Sequence, residues 1–188
     1  MIKTKITDMK KIILSTLVIL GLATVTFAQA DMAKKLEAMN KIKFLLGEWE
    51  GTGWRMTQTG KVFTKAIEKV KCRLDCSILI VDGKGVKTDS VTKEEKVVHD
   101  AFGIIYYDTK TNAVSMRAFT KEGITETVIE FLEEKVIRWI MEIPGGSKVR
   151  FTADFKTANK WIETGEFSRD GQNWVKFLET NLIKVKDQ

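Results

Sequence analysis

The spacing of the hydrophobic positions changes once along this chain, at Gly47. Before it, a stripe of apolar residues follows a helical spacing: Met32, Leu36, Met39 and Leu46. Asp31 is a suitable N-cap for this helix, and Gly47 a suitable end. After Gly47, apolar and polar residues alternate with a period of two. The pattern predicts an N-terminal helix over residues 31–46 and a β-barrel domain over residues 47–188.

Segments of alternating polarity, separated by short turns, fill the rest of the chain. After the first strand they are Val62–Cys72, Ser77–Val81, Val97–Tyr107, Ala113–Thr120, Ile124–Leu132, Val136–Ile143, Lys148–Phe155, Lys160–Phe167 and Asn173–Lys186. Asp82–Gly85 is typical of a tight turn, and residues 86–96 fit either an exposed strand or a loop. Short, even connections favour an all-β fold, an antiparallel up-and-down barrel of about nine to ten strands closed at one end by the short helix. A β-sandwich is the alternative.

The alternation also predicts which side chains face the interior. Trp139 and Met141 share one face of their strand, and Phe151 and Phe155 share one face of the next. A barrel of this strand number has more interior than side chains usually fill, so we expect a cavity with an apolar lining. The candidate ligand-binding residues are Tyr106, Met116, Trp139, Met141, Phe151 and Phe155.

Residues 1–30 have the features of a secretory signal peptide. The basic start Met9–Lys11 precedes an apolar run, Ile12–Phe27, and Ala28–Ala30 is a small-x-small cleavage site. The apolar run is short for a membrane span. We expect cleavage near Ala30, export to the periplasm or the extracellular space, and no stable membrane insertion afterwards. An uncleaved N-terminal anchor is the alternative.

The charges exclude some classes of partner. With 31 basic and 25 acidic residues the formal charge is +6. Without the predicted leader, which holds four lysines and one aspartate, the charge falls to +3. Both signs are interspersed, so no block of like charge indicates nucleic acid or an anionic membrane. We therefore expect a small hydrophobic molecule as the partner, and the sequence leaves the oligomeric state open.

The run Leu45–Gly53, Leu-Leu-Gly-Glu-Trp-Glu-Gly-Thr-Gly, joins the predicted helix to the first strand. With Ile104–Asp108 and the predicted meander, it resembles the calycin superfamily. Within that group the chain is similar to bacterial lipocalin-like barrels of the DUF1579 type, which are related to the nitrobindin-type haem-binding barrels. The resemblance spans the mature chain and implies a ligand-binding barrel. It also implies structural roles for residues of this corner and of the final strand: Gly47, Trp49, Gly51, Gly53, and Lys184 or Lys186 packed on the tryptophan.

His99 is the single histidine of the chain. The haem-binding relatives implied by the resemblance hold iron through a histidine near the C-terminal strand, where this chain has none. We therefore expect no cofactor and no metal site. Haem held by His99 is the alternative, and a solvated histidine at a strand end is the more common situation.

Cys72 and Cys76 are the only cysteines. Their spacing lacks the further ligands that a metal site requires. Across a three-residue turn the sulfurs come within bridging distance, and export to an oxidising compartment favours a disulfide. Two buried thiols are the alternative.

Little in the sequence indicates an enzyme. No Ser-His-acid order, H-E-x-x-H helix or phosphate-binding glycine loop is present. Four charged residues in the predicted strands fit either an inward or a solvent-facing position: Glu68, Arg117, Glu163 and Glu166. Because carboxylates in strands usually face solvent, no catalytic residue is named. The predicted function is an exported barrel that binds a small hydrophobic molecule in its interior. The alternatives are a haem- or nitric-oxide-binding barrel using His99 and a ligand-free envelope interaction protein.

Overall fold

The computed structural model describes residues 31–187. The predicted signal peptide and its cleavage site lie outside these residues. The chain divides into two compact units, Met1–Glu37 and Ala38–Gln188, and the second contains every strand described below. Within the described residues, no helix is long and apolar enough to cross a membrane.

The N-terminal helix α1 spans residues 31–40 and is shorter than predicted. A turn and a 3₁₀ helix, Lys43–Leu45, follow it. Backbone N–H groups in this segment donate to carbonyls three residues earlier, as from Ile42 to Met39 and from Leu45 to Ile42. Three residues per turn place Met39, Ile42 and Leu45 on one side, and all three are almost fully buried. The tighter winding therefore ends the α-helix early and directs this segment into the core.

Eleven strands form one antiparallel sheet. Their bounds are β1 Gly47–Thr57, β2 Gly60–Arg73, β3 Ile78–Thr88, β4 Glu95–Asp108, β5 Ala113–Thr120, β6 Gly123–Val128, β7 Glu130–Glu133, β8 Val136–Glu142, β9 Lys148–Asp154, β10 Lys160–Ser168 and β11 Val175–Lys186. Sequential strands pair throughout, except across β6–β7, and β1 also pairs with β11. The sheet is a nearly closed barrel, which confirms the predicted antiparallel barrel rather than a sandwich.

The barrel has one seam, between β6 and the β7–β8 hairpin. The single strand predicted over Ile124–Leu132 is wrong, because the segment divides at Ile129 into two strands on opposite sides of the seam. The Ile129 N–H donates to the Val114 carbonyl at 2.8 Å. The Thr127 hydroxyl donates across the seam to the Ile140 carbonyl of β8, also at 2.8 Å. These bonds use backbone groups that an open sheet edge would expose.

The turn predicted at Asp82–Gly85 is also wrong, since β3 runs through it without interruption. The chain turns later, between β3 and β4, where the Asp89 carboxylate accepts the N–H groups of Val91 and Thr92 at 2.8 Å. Two glycines therefore lie inside a strand, a position that often marks the close approach of another group.

Three aromatic residues fill the end of the barrel at which the N-terminal segment enters. Trp49, Phe155 and Trp161 are each at most 5% exposed, with ring centroids 4.8–5.8 Å apart. The Trp49 indole N–H donates to the Leu45 carbonyl at 2.8 Å. The Lys184 Nζ lies 4.9 Å from the Trp49 ring centroid, in the arrangement that the resemblance implies. We call this the closed end, and the rest of the interior the open half.

The glycines of this corner allow strands to approach. Gly47 has a φ of +126°, and a Cβ there would come 2.7 Å from the Lys186 carbonyl oxygen. Side chains at Gly51 and Gly53 would meet the backbone of β11. The three positions thus need glycine for the first and last strands to pair closely.

Candidate functional site

Burial decreases along the inward-facing rows of the barrel. On β4, Ile105 is 3% exposed, Ala101 is partly exposed and His99 is exposed. On β8, Ile137 is 2% exposed and Met141, on the same face, is partly exposed. Inward residues of a filled barrel would be buried along the whole row. The interior is therefore packed at the closed end and accessible in the open half.

The two walls of the open half differ in side-chain size. Small residues face inward from β1 to β5: Gly53, Ala66, Gly83, Ala101, Gly103 and Ala118. On the other side of the ring of strands, Trp139 stacks on Phe151 with centroids 5.5 Å apart and an interplanar angle of 18°. Phe177 meets Phe151 edge-on at 6.0 Å. The open half thus has small residues on one wall and stacked aromatic rings on the other.

Glu68 faces inward from β2, paired with Trp49 on β1 and Gly83 on β3. Its carboxyl group lies against Gly83, where a Cβ would come within 2.7–2.9 Å of the two oxygens. Burial raises the pKa of Glu68 well above its ordinary value, and the charges of Glu163 and Asp82 raise it further. The glycine inside β3 thus makes room for a carboxyl group that favours its neutral form.

Glu163 faces inward from β10, paired with Ala153 on β9 and Thr180 on β11. Burial raises the pKa of this carboxyl group from 4.5 to about 7. The neighbouring Trp161 indole opposes part of this rise, because its N–H favours the charged form. That N–H is buried, yet it makes no hydrogen bond of ordinary geometry within the described residues.

Neither inward carboxyl group forms an ion pair with any residue in the described range 31–187. Lys184, the cation on the inward face of β11, lies over Trp49 and pairs with Asp187 at 3.1 Å. The open half therefore contains, at its border with the closed end, two titratable groups without a counter-charge.

The other charged strand residues considered in the sequence lie on the outer face. Arg117 pairs with Glu126 at 2.9 Å, and both are about half exposed. Arg150 pairs with Glu166 at 2.6 Å and lies over the Trp174 ring at 4.1 Å. For these two residues the solvent-facing position agrees with the structure.

Glu68 and Glu163 face inward, so the more common solvent-facing orientation does not hold for them. The usable signal was their position in the alternation: Glu68 lies two residues from the buried Val70, and Glu163 two residues from the buried Trp161. A period of two places such residues on the same face of a strand as the core residue. The general tendency of carboxylates to face water masked this local signal.

The structure brings together most of the predicted cavity residues. Those facing the open half are Met116, Trp139, Met141 and Phe151. Phe155 belongs to the closed end, where it packs on Trp49. Tyr106 lies on the outer face, where its hydroxyl donates to Glu126 at 2.8 Å, so it is not part of the interior.

His99 lies at the outermost inward position of β4, beside a β-bulge. With Arg55, Lys121 and Glu122 it lines a shallow cleft of about 200 Å³. The residue is exposed, although burial of its ring lowers the pKa of His99 and the charge of Arg55 lowers it further.

The positions of His99 and Met116 do not fit a haem that both side chains would ligate. The register places His99 about six residues along the strands from Met116, roughly 20 Å at 3.3 Å per residue. Among the described residues, no group of three or more His, Cys, Asp or Glu side chains is arranged to hold a metal ion.

Cys72 and Cys76 form a disulfide, with Cα atoms 4.6 Å apart. The bridge spans the turn between β2 and β3 at the closed end. Leu74, Asp75 and Cys76 in this turn all have positive φ angles, between 51° and 60°. Both cysteines are partly buried, and no free cysteine occurs in the described part of the chain.

Comparison with known proteins supports the fold. The chain is similar to the crystal structure of Rv2717c from M. tuberculosis, with a TM-score of 0.53 and 14% identity over 78% of this chain and 96% of that chain. No family model matches the sequence. No curated protein matches it either. The likeness supports the barrel fold, while membership of the calycin superfamily and of its DUF1579 or nitrobindin-type families stays a prediction.

Proposed function

We propose that this protein is a small-molecule-binding barrel whose ligand occupies the open half. The observation that carries the proposal is the loss of burial along the inward rows, from Ile137 at the closed end to Met141. An apolar ligand would restore the buried surface that these rows lack, at about 25 cal/mol for each Å² removed from water. The stacked Trp139 and Phe151 rings offer it a flat surface.

Titration with the neutral dye Nile red tests this proposal. We expect saturable fluorescence enhancement in the wild type and at least tenfold weaker binding in Ala118→Trp, which places a large ring in the open half. Arg117→Trp, the adjacent outward position, is the matched control and should bind the dye like the wild type. Circular dichroism establishes that both variants keep the barrel. Equal dye binding by Ala118→Trp and the wild type, with the fold retained, would contradict an interior site.

We also propose that the protein is exported. The leader-like residues 1–30 support this, and so does the Cys72–Cys76 disulfide, because disulfides persist mainly in oxidising compartments. Cell fractionation followed by N-terminal sequencing should recover a mature protein that begins near Asp31. Recovery of the full-length chain in the cytoplasm alone would contradict export.

A further inference from the structure

The two carboxyl groups of the open half have no evident structural purpose. Glu68 and Glu163 face the interior and form no ion pair within the described residues. A buried carboxylate that lacks a counter-charge costs stability, and a second acid within electrostatic reach adds to that cost. Isosteric glutamines would fill the same space without charge. Two acids at these positions are therefore better explained by a bound group than by packing.

A third polar group lies beside them without a partner. Trp161 is 5% exposed, and its indole N–H makes no hydrogen bond of ordinary geometry within the described residues. It lies near the Glu163 carboxyl group, two residues along the same inward face. An ionised Glu163 would give this donor a charged acceptor. A ligand that keeps Glu163 ionised would thus satisfy the indole as well.

We propose that the open half binds a small amphipathic amine, with its apolar body against Trp139 and Phe151 and its protonated nitrogen between Glu68 and Glu163. This inference rests on the proposed function and specifies its ligand class. An ammonium group carries three donors and one positive charge, which complement two inward-facing carboxylates within electrostatic reach of each other.

The surrounding charges favour this ligand class inside the barrel. Asp82 is exposed on the outer face of β3, and its negative charge also acts on Glu68. Lys184 is held over Trp49 and pairs with Asp187 rather than with either acid. The basic residues Arg55 and Lys121 line the cleft beside His99, together with Glu122, at the outer end of the β4 row.

Binding of an amine should also release protons from the two carboxyl groups. Burial raises the pKa of Glu68 well above its ordinary value and that of Glu163 to about 7, so Glu163 is close to half-ionised near neutral pH. An ammonium group favours the ionised carboxylates, so its binding releases protons and strengthens as the pH rises from 6 to 8. A neutral ligand of the same shape lacks this dependence.

The test uses three probes with one aromatic body: 2-(1-naphthyl)ethylamine, 2-(1-naphthyl)ethanol and 3-(1-naphthyl)propionate. Competition with Nile red on the wild-type protein, checked by calorimetry in buffers of different ionisation enthalpy, gives the affinities and the protons released. We expect the amine to bind about 10- to 100-fold more tightly than the alcohol, which is the range for one charge-assisted hydrogen bond or two. The propionate should bind more weakly than the alcohol.

The variants Glu68→Gln and Glu163→Gln should lose most of the amine preference and keep the affinity for the alcohol. Glu50→Gln, on the outer face of β1, is the matched control and should behave like the wild type. Equal affinities for amine and alcohol, or a preference for the propionate, would overturn the amine inference and leave the binding barrel standing. Failure of Nile red and all three probes to bind would overturn both proposals.

Discussion

The closed end and the open half are built on the same strands, with opposite consequences for the side chains. At the closed end, Trp49 packs edge against face on Phe155 and on Trp161, and its N–H donates to the Leu45 carbonyl. In the open half, Glu68 and Glu163 take the next inward positions after buried apolar residues and have no counter-charge in the described chain. One end therefore stabilises the barrel, while the other keeps groups that destabilise it unless something binds them.

Along each strand, the residues that stabilise the fold and the residues proposed to bind a ligand therefore occupy different positions. Val70 belongs to the core, whereas Glu68, two residues away on the same face of β2, belongs to the candidate site. A barrel permits such a division because each inward position contacts its own level of the interior. The division can be tested by changing each region independently.

The largest expected effect compares two tryptophans. Trp49→Ala should lower the free energy of unfolding by about 3–5 kcal/mol, because it leaves a cavity among Phe155 and Trp161 and removes the bond to Leu45. Trp139→Ala should cost about 1–2 kcal/mol, since its ring is already partly exposed, but it should weaken Nile red binding. Urea denaturation of both variants measures the difference. Similar losses of stability would mean that the open half is part of the same packed core.

The sequence predicts the architecture of both regions well and the chemistry of the open half poorly. Alternation places Trp139 and Phe151 on the interior, and the bounds of β5 agree with the predicted Ala113–Thr120. These features depend on local periodicity, which a single sequence records. The split at Ile129 depends on which strands meet at the seam, and no local pattern contains that information.

Gly83 and Glu68 show more directly which structural relations cannot be predicted from the sequence alone. A glycine beside aspartate and lysine is most often a turn residue, so the sequence predicted a turn where β3 continues. The glycine is needed because a carboxyl group from the neighbouring strand lies against it. Glu68 and Gly83 are fifteen residues apart in the sequence, and only the pairing of their strands reveals this relation.

The next effect concerns the pH dependence of stability. The folded protein holds the Glu163 proton up to about pH 7, whereas the unfolded chain loses it near 4.5. Stability from this group is thus complete below pH 4.5 and is lost as the pH rises towards 7, by roughly 3 kcal/mol. Glu163→Gln should remove this share of the decline and leave the share from Glu68, because burial raises the pKa of Glu68 as well. Chemical denaturation between pH 4 and pH 8 measures it for both proteins.

Two control variants test whether this pH effect belongs to the open half rather than to the outer face or the closed end. Glu50→Gln on the outer face and Trp49→Phe at the closed end should both keep the wild-type decline, although the second lowers stability at every pH. A decline that persists unchanged in Glu163→Gln would show that this carboxyl group does not titrate inside the barrel.

A smaller effect is expected from the disulfide at the closed end. The Cys72→Ser/Cys76→Ser double variant should fold and lose about 2 kcal/mol or less, because the bridge closes a very short loop. It should leave Nile red binding unchanged, since the bridge lies away from the open half. Thermal unfolding and dye titration measure the two quantities. Thiol labelling of the unfolded, unreduced wild type should find no free thiol, and two reactive thiols would contradict the disulfide.

The smallest effect is expected at Gly83, where the fold and the candidate site meet. Gly83→Ala places a Cβ 2.7–2.9 Å from the Glu68 oxygens, so the carboxyl group must move. The end of a flexible side chain yields readily, and we expect a loss of about 1 kcal/mol. Gly103→Ala is the matched control, because its nearest atom lies at 3.5 Å, an ordinary contact. A double-mutant cycle with Glu68→Ala isolates the contact, and the cost of Gly83→Ala should disappear when Glu68 is absent. If that cost persists without Glu68, the glycine is required by the strand itself and not by the carboxyl group of the open half.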